Sequence, residues 1–403
     1  MRNTWQYKKW EEVLEIRNGK GPKEAEVTNG KYPIIGSAGK PMGFSNNYIC
    51  EEGTTIIGRK GTINNPIFVK TKFWNVDTAF GLHAFDSLDK RFLFYFCLNF
   101  DFTKMDRGSG RPSLVKSDLL QIKIPIPPLS EQKQIVALLD KAFAAIDKAQ
   151  ANIEKNIKNA RELFQSKLDE VFSDFNKPDL INYKERKLND LGVIGTGTTP
   201  STKDKSNFGN FIPFIKPAHI KSDGSFKYGE SMLSEKGLQK GRLFSKNSVF
   251  MVCIGATIGK TGFSSIPFSA NQQINVLTPE KEYFSKFIYY AMISNHFQKQ
   301  VLEAGRGAQA TLPIINKSKW SNLKIKIPTD IVSQKNIATK LDKLKQESNK
   351  IQDVYFQKID YLEQLKKSLL EKAFKGELTQ KDTEAIEALD IAAEGEVSYQ
   401  TQS

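Results

Sequence analysis

The chain repeats itself, and the repeated part is a long helix. QIKIPIPPLSEQKQIVALLDK, ending at Lys141, is answered by NLKIKIPTDIVSQKNIATKLDK, ending at Lys343. Gln132, Lys133, Ile135, Leu139, Asp140 and Lys141 are matched by Gln334, Lys335, Ile337, Leu341, Asp342 and Lys343 at a constant offset of 202. The same offset holds downstream, where Ser166, Leu168 and Phe172 meet Ser368, Leu370 and Phe374. Within the segment, Ile135, Leu139, Ala142, Ile146, Ala149, Ile153, Ile157, Ala160, Phe164, Leu168 and Val171 recur with the period of a nearly straight α-helix. The second copy keeps this stripe apolar except at Ser348 and Lys366. Pro127-Pro128 precedes the first helix, with Ser130 placed to cap and Glu131 favourable in the opening turn.

An apolar stripe about 60 Å long, at 1.5 Å per residue, must be covered along its length. A domain of some 130 residues is only about 35 to 40 Å across, so it cannot cover the whole stripe. The other copy can, and two equivalent units related by a pseudo-twofold axis would send their helices in opposite directions. The expectation is an antiparallel coiled coil of residues 129–174 and 329–378. Upstream, RFLFY at Arg91–Tyr95 pairs with KFIYY at Lys286–Tyr290, and WEEVLEIRNG from Trp10 pairs more faintly with LNDLGVIGTG from Leu188. The offset shrinks upstream from 202 to 195 and then to 178, so the second copy has gained about seventeen residues between these two points and about seven more before the helix.

The regions before the helices, residues 1–128 and 175–328, have another texture. YPIIG, TTIIG, SVFMVCIG and INVLT are β-branched runs bounded by turn residues, with helical pieces at FLFYFCLNF and FSKFIYYAMISNHF. The predicted fold is therefore mixed α/β (α+β), with two globular domains alternating with two long helices. FLFYF and FIYY, continuous and in register before each helix, belong to the cores. Residues 379–403 carry six acids against one Lys in KDTEAIEALDIAAEGEVSYQTQS, and are expected to fray from the fold.

A formal charge of +14 directs attention to an anionic partner, nucleic acid first. Cys50, Cys97 and Cys253 are three and widely spaced, which suits a reducing cytoplasm and neither a disulfide framework nor a zinc site. No apolar run approaches the length of a membrane span, and MRNTWQYKKWEE lacks a signal peptide's apolar segment.

IGATIGKTG, Ile254–Gly262, imitates a phosphate-binding loop of an ATPase. Between Gly255 and Gly259 lie only three residues where a Walker A loop needs four, and no acidic strand follows. Other catalytic signatures fail in the same way. NNPIF at Asn64 and IPPLS at Ile126 do not make the Asn/Asp-Pro-Pro-aromatic motif of an adenine methyltransferase, and GTGTTP at Gly195 lacks the third glycine of a dinucleotide turn. No catalytic constellation or metal set is expected.

PPLSEQKQI with its SQKNI echo, IGATIGKTG followed by SANQQINVLTP, and GSGRPSL and GRGAQATL before the two helices resemble the specificity subunit of type I restriction-modification systems, the HsdS family. The likeness runs from Trp10 to about Leu378 and rests on the order of weak motifs, repeated twice. It implies two target recognition domains, each reading half of a split double-stranded DNA site, and an antiparallel helical spacer. It also implies docking of two modification (methyltransferase) subunits and of ATP-dependent restriction subunits. S-adenosylmethionine, ATP and Mg would then reside on those partners, with no cofactor on this chain. The second copy has IPTDIVSQKNI for IPPLSEQKQI, so its docking contacts transfer less directly. A subunit serving a fused methyltransferase-nuclease, or a coiled-coil scaffold binding only protein, are the alternatives.

DNA affinity would come from Lys and Arg on phosphates, and specificity from Arg on guanine and Asn or Gln on adenine. Arginine is scarce beside lysine here, so arginines in glycine-bearing loops stand out: Arg59 with Lys60 in IIGRKGTIN, Arg107 and Arg111 in DRGSGRPS, and Arg306 in EAGRGAQA. Asn64, Gln272, Gln273 and Gln309 are the amide candidates, and Lys260 and Thr261 are expected phosphate contacts.

Overall fold

The computed structural model describes residues 5–173, 182–221, 224–305 and 313–400, with the backbone alone at Glu24, Ser173 and 393–400. The chain divides into two compact units, Met1–Asn156 with Tyr355–Ser403, and Ile157–Val354. Each holds one mixed α/β domain, the start of that domain's own long helix and the end of the other copy's.

In the first unit a four-stranded antiparallel sheet runs in the order Leu14–Asn18, Ala79–Ala84, Thr54–Gly58, Ile67–Val69. Thr54–Gly58 is buried at every position, which is why it is written as an unalternating TTIIG. A smaller sheet places Tyr32–Ile35 between Pro41–Ser45 and, in parallel, Trp74–Asn75. The second unit repeats both sheets. Gly192–Thr196, Ile274–Pro279, Ser248–Val252 and Thr261–Ser264 make the larger one, and Met232–Leu233, Phe208–Ile215 and Ser269–Ala270 the smaller.

One core site is filled by opposite means in the two repeats. In the first unit the turn Trp10–Val13 packs on Lys116–Leu120, with Trp10 and Leu119 fully buried. At the equivalent place in the second, the turn Leu188–Asp190 packs on Lys317–Ser321, with Leu188 and Trp320 fully buried. The backbone frame is the same, since Trp10 N donates to Ile122 O and Leu188 N to Leu323 O, both at 2.9 Å. One indole fills the space in each case, contributed from opposite sides.

The long helices run Leu129–Ser173 and Ile331–Lys375. Their antiparallel sense is visible inside the second unit. There Leu168 and Phe172 share a core with Ala338 and Leu341, while Ala160 lies beside Ser348. All eleven stripe positions of the first helix are buried or half-buried. Both breaks in the second stripe are polar contacts across the seam. Ser348 Oγ donates to the Ala160 carbonyl at 3.0 Å, and Lys366 pairs with Asp147 and lies over the Phe143 ring. Two apolar members of the second stripe, Leu344 and Ile351, are 37% and 46% exposed, so that helix is not covered along its whole length.

The matched polar residues of the repeat fasten each domain to its helix. Gln132 is fully buried; its Oε1 accepts from Asp89 N at 2.8 Å while Nε2 donates to the Ser87 and Pro127 carbonyls. Gln334 does the same with Phe284 N, Glu282 O and Pro328 O. Asp140 receives Arg91 and the Tyr95 hydroxyl, as Asp342 receives Lys286 and the Tyr290 hydroxyl. The helix ends reach across between copies: Phe374 stacks edge-on against Phe92 and Phe96 in one unit, and Phe172 packs on Phe287 in the other.

The acidic C-terminal segment departs from the fraying expected of it. Gln380–Gln400 is helical, Ile386 is buried, Asp382 caps its start and pairs with Lys372, and Glu387 pairs with Lys141. One apolar residue and two ion pairs suffice to hold its first turns.

Candidate nucleic-acid interface

In the first unit two loops some fifty residues apart are sewn together. Leu114 N donates to Arg59 O at 2.9 Å, Gly61 N to Pro112 O at 2.8 Å, and Lys60 faces Ser113 across an isolated bridge. The second loop is closed by Asp106, whose Oδ1 accepts from Gly108 N and Ser113 N, each at 2.8 Å. These donors hold the Asp106 carboxyl below its usual range, so it stays ionised as the loop's anchor. Gly61 adopts φ +86, and the Arg111 guanidinium lies where a Cβ on that residue would point, 3.0 Å from Nη2.

Four of the sequence candidates therefore gather on one rim. Lys60 and Arg111 are exposed, Arg107 is exposed with Nε on Asp118 at 3.0 Å, and Arg59 is half-buried over the Phe80 ring. Asn64 is drawn away from such a role, because its Oδ1 accepts from Phe102 N at 2.9 Å and ties the loop to the domain.

The second unit repeats the stitching. Ile315 N donates to Cys253 O at 2.8 Å and Gly255 N to Pro313 O at 3.1 Å. Between them, IGATIGKTG is the connection from Ser248–Val252 to Thr261–Ser264, with Gly255 and Gly259 at φ +94 and +89 and Val252 N bonded to Lys260 O. The two side chains expected to meet phosphate here are engaged within the domain. Thr261 is buried and its hydroxyl donates to Gly259 O at 2.9 Å, while Lys260 Nζ is committed to Ile220 O at 3.0 Å. Thr261 tightens the turn itself, and Lys260 ties the turn to the segment at Ile220. Gln272 is exposed and accepts from the Thr199 hydroxyl; Gln273 is half-buried and accepts from Asn271 Nδ2 at 3.0 Å. Arg306 and Gln309 lie outside the described residues.

Exposed cations that no motif singles out join Gln272 on this unit. Lys236, Lys240 and Arg242 sit on and just after the helix Glu235–Lys240, within the stretch gained by the second copy. The gain in length was the one sequence signal that could have drawn attention to them.

Reactive groups are placed for packing. Burial pushes the thiols of Cys50 and Cys253 up to about 12 and raises that of Cys97. Among the described residues no group of three or more His, Cys, Asp or Glu could hold a metal ion, and no helix is long and apolar enough to cross a membrane.

The family described as "Type I restriction modification DNA specificity domain" matches residues 2–159 and again 181–355. The type I restriction enzyme HindI specificity subunit of Haemophilus influenzae is 31% identical over 149 residues, 36% of this chain and 32% of that one. The putative specificity subunit S.HindORF215P of the same organism is 25% identical over 362 residues, 86% of this chain and 89% of that one. Among solved structures, a chain from a study of complex assembly and conformational transition of the type I R-M system superposes with a TM-score of 0.73 at 18% identity, covering 93% and 98% of the two chains. The HsdS subunit from Thermoanaerobacter tengcongensis gives 0.52 at 19% identity, covering 93% and 97%.

Proposed function

Because the chain belongs to the type I restriction-modification DNA specificity family, as a specificity subunit, we propose that it supplies the DNA address of a larger enzyme and none of its chemistry. Residues 1–128 and 175–328 each read one half of a split double-stranded site in the cytoplasm. The observation that carries this reading is the duplicated pair of stitched loops, Arg59–Gly61 with Pro112–Leu114 and Cys253–Gly255 with Pro313–Ile315. Two copies of one loop construction, differing in side chains, suit two half-sites that differ in bases. In the first, Lys60, Arg107 and Arg111 present planar and point-charge donors beside glycines, fit for a groove edge and its flanking phosphates.

The long helices set the gap between half-sites and carry the partners. Leu344, Ile351 and Val354 leave apolar surface exposed on the second helix, which a methyltransferase subunit would cover. S-adenosylmethionine, ATP and Mg belong to the methyltransferase and restriction subunits. Joining two weak readers through a stiff spacer makes the second contact intramolecular, so the spacing matters as much as the bases.

The test is selection of random duplexes by the chain reconstituted with its methyltransferase subunit, followed by sequencing of the bound pool. The expected result is a split motif with a fixed unread gap. A single contiguous motif would leave one domain without a reading role, and an unenriched pool would favour a protein-binding scaffold.

A further inference from the structure

The two domains share a scaffold and differ most where the second has grown. Between Ile35 and Thr54 the first domain has 18 residues and no helix; between Ile215 and Ser248 the second has 32 and builds the helix Glu235–Lys240. The charge changes with the length. Residues 36–53 carry one Lys against two Glu, whereas 216–247 carry seven Lys or Arg against three acids.

The added helix is held rigidly against the turn that precedes Phe208. Ser234 Oγ accepts from Gly237 N at 3.0 Å and donates to Ser206 O at 2.6 Å. Gly237 is pressed so closely that a Cβ there would fall 1.9 Å from Asn207 O. Asp204 accepts from Ser206 N and sits between two ammonium groups, Lys236 at 3.3 Å and Lys240 at 3.4 Å. One carboxylate between two cations leaves the cluster positive, and Lys203 and Lys205 stand exposed on the same turn. Arg242 is exposed and fixed through Nη1 to Thr196 O at 2.8 Å. The patch continues into the loop of Gln272, which accepts from Thr199. In residues 196–207 and 234–242 the acids are Asp204 and Glu235, against Lys203, Lys205, Lys236, Lys240 and Arg242.

We propose that this platform, centred on Lys236, Lys240 and Arg242, is a grip on the DNA phosphate backbone that the second domain has and the first lacks. The inference rests on the DNA-reading function above and adds an asymmetry to it. Lysines pinned around a single aspartate are point charges with little freedom left to lose, and they suit a partner whose charges repeat regularly whatever its bases. The second domain then supplies a larger share of sequence-independent affinity, while the first depends more on its base contacts.

The experiment uses the full chain with its methyltransferase subunit and a mixed-sequence duplex, with affinity followed across a range of KCl concentrations. For Lys236→Gln/Lys240→Gln/Arg242→Gln, the slope of log affinity against log salt should shrink by about 2 to 3, at roughly 0.9 for each phosphate no longer neutralised. The same three-charge loss at Lys184, Lys281 and Lys299 should leave the slope nearly unchanged. An unchanged slope in a platform variant that melts like the parent overturns the grip. An equal drop in the control overturns it too, by reducing it to net charge. If the platform variant instead loses its methyltransferase subunit, the patch faces protein and the grip is overturned. A parent complex with no salt-sensitive DNA affinity would defeat the DNA reading itself, which is a different failure.

Discussion

The Tyr290 hydroxyl donates to Asp342 at 2.7 Å, tying the aromatic helix of the second domain to the long helix that follows it. Lys286 reaches the other oxygen of the same carboxylate, while in the first unit Arg91 and Tyr95 both donate to Oδ1 of Asp140. Tyr290→Phe removes one bond and leaves Asp342 with its lysine, a loss of about 1 kcal/mol. Asp342→Ala strands a buried hydroxyl and should cost about 2 to 3 kcal/mol. Urea denaturation of the two single variants and the double gives the coupling, and additive losses would mean that the contact holds nothing.

The Trp–Leu exchange between repeats predicts a compensated pair. Trp10→Leu alone opens a cavity and should cost about 2 to 4 kcal/mol, while Leu119→Trp alone overfills the site at about 1 to 3 kcal/mol. Made together they recreate the second unit's solution, and the double variant should recover about 1 to 2 kcal/mol of the summed loss. Denaturant midpoints of the three chains test this, and a double variant no better than the sum would mean that the two sites are not equivalent.

Much of this architecture was legible in the sequence. The 3.6-residue stripe located both long helices to within a few residues, and the matched offset gave their equivalence, because helical burial writes itself locally. The meaning of Gln132 and Asp140 was not legible: their partners, Asp89 and Tyr95, lie more than forty residues away. The candidate interface divides similarly. Glycine and arginine marked the loops at Arg59 and Arg111, but only the fold brings those loops together. It also turns Thr261 inward and Asn64 onto Phe102, since a glycine-rich turn looks alike whether its polar groups face a ligand or its own backbone.

Stability should fall on the alkaline side. Cys50 and Cys253 are pushed up to about 12 by burial, Cys97 is raised by burial, and Tyr95 and Tyr290 are raised by burial and then by their bonds to Asp140 and Asp342. In each the folded chain holds its proton longer than the unfolded one. The contribution is whole below the ordinary thiol value near 8.5 and is lost as pH climbs toward 12, by up to about 1.4 kcal/mol per pH unit for each thiol. Denaturant midpoints measured between pH 7.5 and 9.5 should decline, less steeply in Cys97→Ala. Identical slopes for parent and variant would contradict this account.

Arg111, poised over Gly61, separates two kinds of contact. If it reads a guanine, Arg111→Ala should relax a single base position by about 1 to 3 kcal/mol; if it touches only phosphate, every site should weaken together. Competition among single-base variants of the selected duplex distinguishes the two. No change at any position would remove Arg111 from the interface.

The placement of Phe374 has a consequence for how the protein is born. Its ring closes against Phe92 and Phe96, residues made nearly three hundred positions earlier. On the ribosome the first domain therefore emerges with that aromatic surface uncovered and must wait for almost the whole chain before it can be sealed, a long-range contact of the kind that slows folding and invites aggregation. The second domain, whose Phe172 has already been synthesised when Phe287 appears, meets no such delay.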